Sequence, residues 1–231
     1  MKVDIDHANS AFQSLINNPN QYIFLDANIF IPPDRSNLGQ KAFSFESYRD
    51  FLLDPLFNEF THLCIHESIY KELVLDKVKT YADSLIEQEP TRLEVHSEDV
   101  LSYDETVLFN SYIRKLAVHS QYDPDRDTSK DRGEVRSLSY MAVKQYLYFA
   151  ANDALPIRLI KEADKLNTGL DTLGAIQSYE IVYYLYRLEK YDSKKLRILY
   201  KYMYYMTNGD KKTNPDWGTF IEGMKHLYDV N

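Results

Sequence analysis

The stretch YIFLDANIFI, residues 22–31, decides how this chain is read. Residues 22–25 are apolar or aromatic without a break, and the run ends in Asp26. A short continuous run of β-branched and aromatic residues is the pattern of a fully buried strand. An acid that closes such a strand stands where an open parallel sheet forms its ligand crevice, outside the carboxyl ends of the strands. The pattern recurs. THLCI at 61–65 reads as a second short strand and leads into an amphipathic helix over 66–78, carrying Ile69, Leu73, Leu75 and Val78. YLYFAAND at 146–153 reads as a third buried strand and closes on Asp153. Leu93 and Val95, just after Pro90, mark a brief extended segment.

Outward from these strands, apolar spacing predicts helices over 6–17, 43–60 with an interruption near Pro55, 99–119, 133–145, 154–166, 172–191, 193–206 and 217–228. Strand and helix alternate through the first two-thirds and helices alone fill the rest, which gives an α/β class. QYDPDRDTSKDRGE at 121–134 is the most polar stretch and reads as a loop. With no internal repeat or long linker, the expectation is one domain over 1–190 with a helical extension over 191–231 packed on it. The chain has 20 tyrosines, many near its C-terminal end, and they read as core residues whose hydroxyls reach the surface, ahead of a base-stacking platform.

At 231 residues, 44% apolar and 27% charged, the composition excludes disorder, collagen-like repeats and a bare coiled coil. Seven glycines and eight prolines are few for this length and favour long helices. Lone Cys64 forms no internal disulfide and fits a reducing compartment. The balance of 27 basic against 35 acidic residues, −8, argues against a binder of duplex DNA through its phosphates and leaves room for an acidic enzyme with a local basic rim. No run of about 18 apolar residues is present, and MKVDIDHANSAF places charges where a signal peptide is apolar. The expectation is a cytoplasmic protein without membrane contact.

Four acids attract a chemical reading. Asp26 and Asp153 close strands, Glu72 lies after the second strand, and Glu134 opens the helix that feeds the third. Carboxylates gathered in one cleft repel one another, and a divalent cation resolves the conflict. Mg²⁺ and Mn²⁺ suit hard oxygen ligands from separate segments, whereas Zn²⁺ favours Cys or His. Such a centre activates water and neutralises charge on a phosphodiester. Plainer roles stand beside this one. Asp26, Asn28 and Asp153 suit caps and turns, Glu134 suits a helix start, and Glu67 rivals Glu72 on a different face. His62 and His66 flank strand residues, where side chains four apart lie about 13 Å from one another, so they do not form a zinc pair; Cys64 reads as buried. Arg126, Lys130, Arg132 and Arg136 surround Glu134 and would make a phosphate-steering rim for RNA.

FLDANIFI, IHESIYKELV and DRGEVRSLSYMAVKQYLYFAANDALPIRLI resemble, in order, the successive segments of PIN domains. GLDTLGAI at 169–176 resembles a helix opening found in one PIN subgroup, and the likeness runs over about 20–185. The resemblance implies a three-layer α/β/α fold around a mostly parallel sheet. It also implies a Mg²⁺- or Mn²⁺-dependent ribonuclease acting on single-stranded RNA, often a toxin paired with an antitoxin. By position, Asp26, Glu134 and Asp153 would hold the metal and Glu72 would complete the catalytic set. Asn28, Asn152 and Thr172 would support it. An antitoxin or other protein, or a second copy in a homodimer, would be the partner. The competing expectation is a non-catalytic PIN-like scaffold that binds a protein through its helical tail.

Overall fold

The computed structural model describes residues 2–35 and 43–229. Helix α1 (Ser10–Asn17) precedes β1 (Ile23–Leu25), which runs into the single turn α2 (Ala27–Phe30). Then come α3 (Phe45–Tyr48), a π-helical turn (Arg49–Leu53), α4 (Asp54–Glu59), β2 (Leu63–His66), α5 (Glu67–Tyr70), α6 (Asp76–Ile86) and β3 (Leu93–His96). The returning half holds α7 (Tyr103–Ala117), α8 (Arg132–Lys144), β4 (Tyr148–Ala150), α9 (Ala154–Lys161), α10 (Ala163–Leu166) and β5 (Gly174–Ile176). Helices α11 (Ser178–Arg187), α12 (Ser193–Tyr204), α13 (Asn208–Thr213) and α14 (Trp217–Tyr228) complete the chain.

The five strands form one sheet in the order β3-β2-β1-β4-β5, and every pairing is parallel. Ile23 is in register with Leu63 on one side and Tyr148 on the other. The chain winds outward from β1 to β3, then returns to lay β4 on the opposite side of β1. The switch point therefore falls between β1 and β4, the place where doubly wound sheets open a crevice. Parallel β–α–β crossovers are right-handed almost without exception, so a chain that winds outward in both directions from β1 covers both faces of the sheet, giving three layers. Helices α8 and α9 touch each other and lie against β2 and β5, while α4 meets α11.

Local chemistry explains where the elements depart from the sequence pattern. Pro55 does not interrupt its helix: the turn before it widens, so that the Asp54 N–H reaches back to the Arg49 carbonyl, and α4 starts with Pro55 in its first turn. The helix expected over 66–78 is instead two helices with a turn at 71–75, and Glu72 lies on that turn. The helix expected to open at Thr172 is corrected most. Gly174, Ala175 and Ile176 are β5, and α11 begins only at Ser178. A Cβ on Gly174 would come within 2.3 Å of the Ala11 Cβ, so glycine is what lets α1 lie directly on this strand.

The tail shares the core of the sheet. Leu199, Met203, Phe220 and Met224 belong to the same hydrophobic cluster as Phe24, Leu25 and Phe149. Phe220 stacks on Tyr200 at 4.3 Å and meets Tyr179 and Tyr183 edge-on. The tyrosine hydroxyls turn inward more than the sequence implies: Tyr200 donates to the Pro215 carbonyl, Tyr202 to the Pro33 carbonyl and Tyr204 to Asn152 Oδ1. Among the described residues, no helix is long and apolar enough to cross a membrane.

Candidate metal centre

Asp26 is fixed by the ladder it ends. Its N–H donates to the Ala150 carbonyl at 2.9 Å, carrying the β1–β4 pairing one step past the strand. Asp26 and Asp153 both occupy N-cap positions, of α2 and α9, yet neither side chain makes a capping hydrogen bond. Their carboxylates thus face elsewhere. Asn28 ties the two strand ends together: its Nδ2 donates to Asp26 Oδ2, and its Oδ1 accepts the Asn152 N–H at 2.9 Å.

Glu134, in the first turn of α8, completes the group. One carboxylate oxygen from each of Asp26, Glu134 and Asp153 lies within 4.8 Å of the others. Asp26 is buried at the floor, Glu134 is half-buried, and Asp153 is exposed at the rim. The electrostatics match this geometry. Burial pushes the Asp26 carboxyl well above its ordinary value, and the neighbouring charges of Glu134 and Asp153 push it further, against a partial offset from the Ala27 N–H. Burial also raises Glu134, as do Asp131 and Asp153. Three oxygen donors from separate segments, mutually repelling and open on one side, fit a hard divalent cation.

Glu72 stands one step out. Its Oε1 accepts the Gly133 N–H at 3.0 Å, and a Cβ on Gly133 would fall 2.4 Å from that oxygen. Glycine therefore permits the contact that lays Glu72 against the start of α8. Burial, then the charge of Glu134, pushes its carboxyl up to about 7. Glu67 faces away: its Oε1 accepts from Ser97 Oγ at 2.9 Å and from the Glu98 N–H.

The supporting residues divide. Asn152 is buried beside Asp153; its Oδ1 accepts from the Ser178 N–H and the Tyr204 hydroxyl, and its Nδ2 has no partner among the described residues. Thr172 does not join the centre. It is exposed in the turn that enters β5, at the amino end of the strands, while the acids stand at the carboxyl end.

The basic rim is corrected as well. The Arg136 guanidinium is already engaged: its Nε donates to Glu98 Oε1 at 2.6 Å, its Nη2 also donates to Glu98, and its Nη1 donates to the Tyr122 hydroxyl. Arg132 donates to Asp127 at 2.7 Å. Arg126 and Lys130 remain exposed, each beside an aspartate, Asp123 and Asp131. Cations that sequence reasoning missed lie on the other side of the acids. A cavity of about 570 Å³ borders Asn152 and Asp153 and is lined by Lys2, Arg158, Lys161 and Gln177 together with the acids Asp4 and Glu162. Arg158 and Lys161 lie one helical turn apart on the helix that Asp153 opens, a spacing visible in the sequence; Lys2 carries no such signal.

Compared with family models, with curated proteins and with solved structures, the chain matches none.

Proposed function

We propose that this chain is a divalent-metal-dependent endoribonuclease of PIN-like design that cleaves single-stranded RNA. The observation that carries the reading is the meeting of Asp26, Glu134 and Asp153 at the switch point of a parallel sheet. Mg²⁺ or Mn²⁺ held there would supply charge neutralisation and an activated water for attack on a phosphodiester. Asp26, locked by Asn28 and the β1–β4 ladder, is the fixed ligand at the floor. Glu134 and Asp153 would complete the set that holds the ion. Glu72, whose carboxyl is raised to about 7, is placed to take or return a proton near neutral pH. Lys2, Arg158 and Lys161 border the adjoining cavity, interleaved with Asp4 and Glu162, and are the cations beside the acids that could meet a phosphate backbone.

The test is cleavage of single-stranded RNA in Mn²⁺ by wild type, Asp26→Asn and Asp153→Asn, with circular dichroism to verify folding. Loss of at least about 100-fold in rate is expected for each variant. Equal cleavage in all three defeats the proposal. If wild type neither cleaves nor gains melting temperature in millimolar Mn²⁺, a non-catalytic scaffold takes its place.

A further inference from the structure

A second group of ligating side chains lies in the outer half of the sheet. Parallel register pairs Cys64 of β2 with Glu94 of the edge strand β3, and His66 with His96. Side chains two apart on a strand share a face, so Cys64, Glu94 and His96 project to the same side of the sheet. One ligating atom from each lies within 4.8 Å of the other two. His96 Nε2 is 3.7 Å from Glu94 Oε2. Donors held 2.0–2.3 Å from a tetrahedral zinc lie about 3.3–3.7 Å from one another, so small side-chain rotations bring the three into range.

His96 is set up for coordination. Its Nδ1 is 3.3 Å from the Tyr140 hydroxyl, which holds the ring from behind. When Nδ1–H donates to that oxygen, Nε2 carries the lone pair, on the Glu94 side of the ring. Nε2 is buried and has no hydrogen-bond partner among the described residues. A metal-bound histidine has this arrangement, with one nitrogen on the ion and the other fixed by an outer partner. Phe24, Tyr140 and Tyr146 pack around the imidazole with ring centroids 5.0–5.8 Å away and form a dry wall. The solvent side lies by Glu94 and His62, whose Nδ1 is 3.9 Å from Glu94 Oε1.

We propose that Cys64, Glu94 and His96 form a Zn²⁺ site, separate from the acidic centre, that pins edge strand β3 to β2. The donor set is the mixed sulfur, nitrogen and oxygen kind that zinc prefers over Mg²⁺ or Mn²⁺. The fourth position faces solvent beside His62. On binding, the Cys64 S–H, which points to the His62 carbonyl at 3.9 Å, gives its proton to the buffer, and the sulfur lone pair goes to the ion. An unpaired edge strand is the weakest part of a sheet, and the ion fastens it from the helix-covered face.

The test uses the full chain, stripped with chelator and titrated with Co²⁺, then back-titrated with Zn²⁺. One equivalent of Co²⁺ is expected to give the near-ultraviolet charge-transfer band of a thiolate ligand and the intense visible bands of tetrahedral coordination. The signal should survive in Asp26→Asn/Asp153→Asn and vanish in Cys64→Ser. His96→Asn should weaken Zn²⁺ by about 100-fold or more, and Tyr140→Phe, which keeps the ring and removes the outer partner, by about 10-fold. Because Cys64 is buried and its replacement can disturb folding, the wild-type spectrum and the Tyr140→Phe affinity decide independently. Absence of a thiolate band in wild type overturns the proposal. So does Zn²⁺ binding that is lost with the two aspartates and indifferent to His96→Asn.

Discussion

Glu67 and Glu98 follow β2 and β3 much as Asp26 and Asp153 follow β1 and β4, so all four stand at the carboxyl edge of one parallel sheet. Their surroundings are opposite. Around Glu67, burial alone would raise the carboxyl, but hydrogen bonds from Lys71, Ser97 and the Glu98 N–H hold it down to about 2. Glu98 receives both arms of Arg136. Around Asp26 the nearest charges are Glu134 and Asp153, of the same sign, and its carboxyl is driven up. An acid at a strand end thus identifies nothing by itself. What separates scaffold from candidate site is whether the fold supplies a compensating cation or leaves one to be found in solution.

The sharpest way to break the comparison is to remove a cation from the compensated side. In the native structure Glu98 is about four-fifths buried; Arg136→Ala removes its clamp, and Tyr122 and the Phe109 ring lose a neighbour. Leaving a largely buried charge unpaired costs about 2–4 kcal/mol, read as a fall in the urea midpoint at unchanged slope. A change below about 1 kcal/mol, the value of a surface pair, would mean that the two regions do not differ as described.

Removing charge from the uncompensated side should act in the other direction. A carboxyl whose folded-state value is raised favours folding in its protonated form. That contribution is complete below the ordinary aspartate range and is lost as pH rises through the folded value. Above the ordinary aspartate range and without metal, wild type carries the cost of the raised Asp26 carboxyl, and Asp26→Asn does not. Melting is expected to rise by about 2–4 °C, on the order of 1 kcal/mol for a chain of this size. The gain should fade toward pH 4. Lower melting at pH 8 would show that Asp26 is paid back by a partner within the fold.

Much of the fold behind this contrast is legible in the sequence, but the contrast itself is not. The apolar runs at 22–25, 61–65 and 146–153 reappear as β1, β2 and β4, and the extended pair Leu93 and Val95 lies in β3. Such runs are readable because strands covered on both faces are nearly all apolar. β5 was not readable. Gly174 and Ala175 have low strand propensity and are chosen by the closeness of α1, a tertiary demand without local signature. The positions of Asp26, Glu134 and Asp153 followed from where strands end and a helix begins. The pairing of cations did not: nothing in the stretch 121–134 indicates that Arg136 turns to Glu98 while Arg158 and Lys161 border the cavity. Side-chain direction across distant segments is set by packing.

Glu72 offers the finest test, because it stands at the border of the uncompensated region. Its carboxyl, raised from 4.5 to about 7, keeps a proton in the folded chain that the unfolded chain has lost over that interval. With fewer protons bound unfolded than folded, stability falls as pH rises from about 4.5 to about 7. A full proton difference gives about 1.4 kcal/mol per pH unit, and the partial exposure of Glu72 reduces this to a few tenths. Glu72→Gln should flatten the metal-free slope by that amount. In millimolar Mn²⁺ the sign reverses for wild type, since the ion competes with protons on Asp26, Glu134 and Glu72, and its stabilisation grows as pH rises toward 8. Melting curves from pH 5 to 8, with and without Mn²⁺, measure both slopes. If Glu72→Gln leaves the Mn²⁺ slope of wild type unchanged while Asp26→Asn removes it, Glu72 lies outside the ion's reach and the centre is the three-carboxylate set alone.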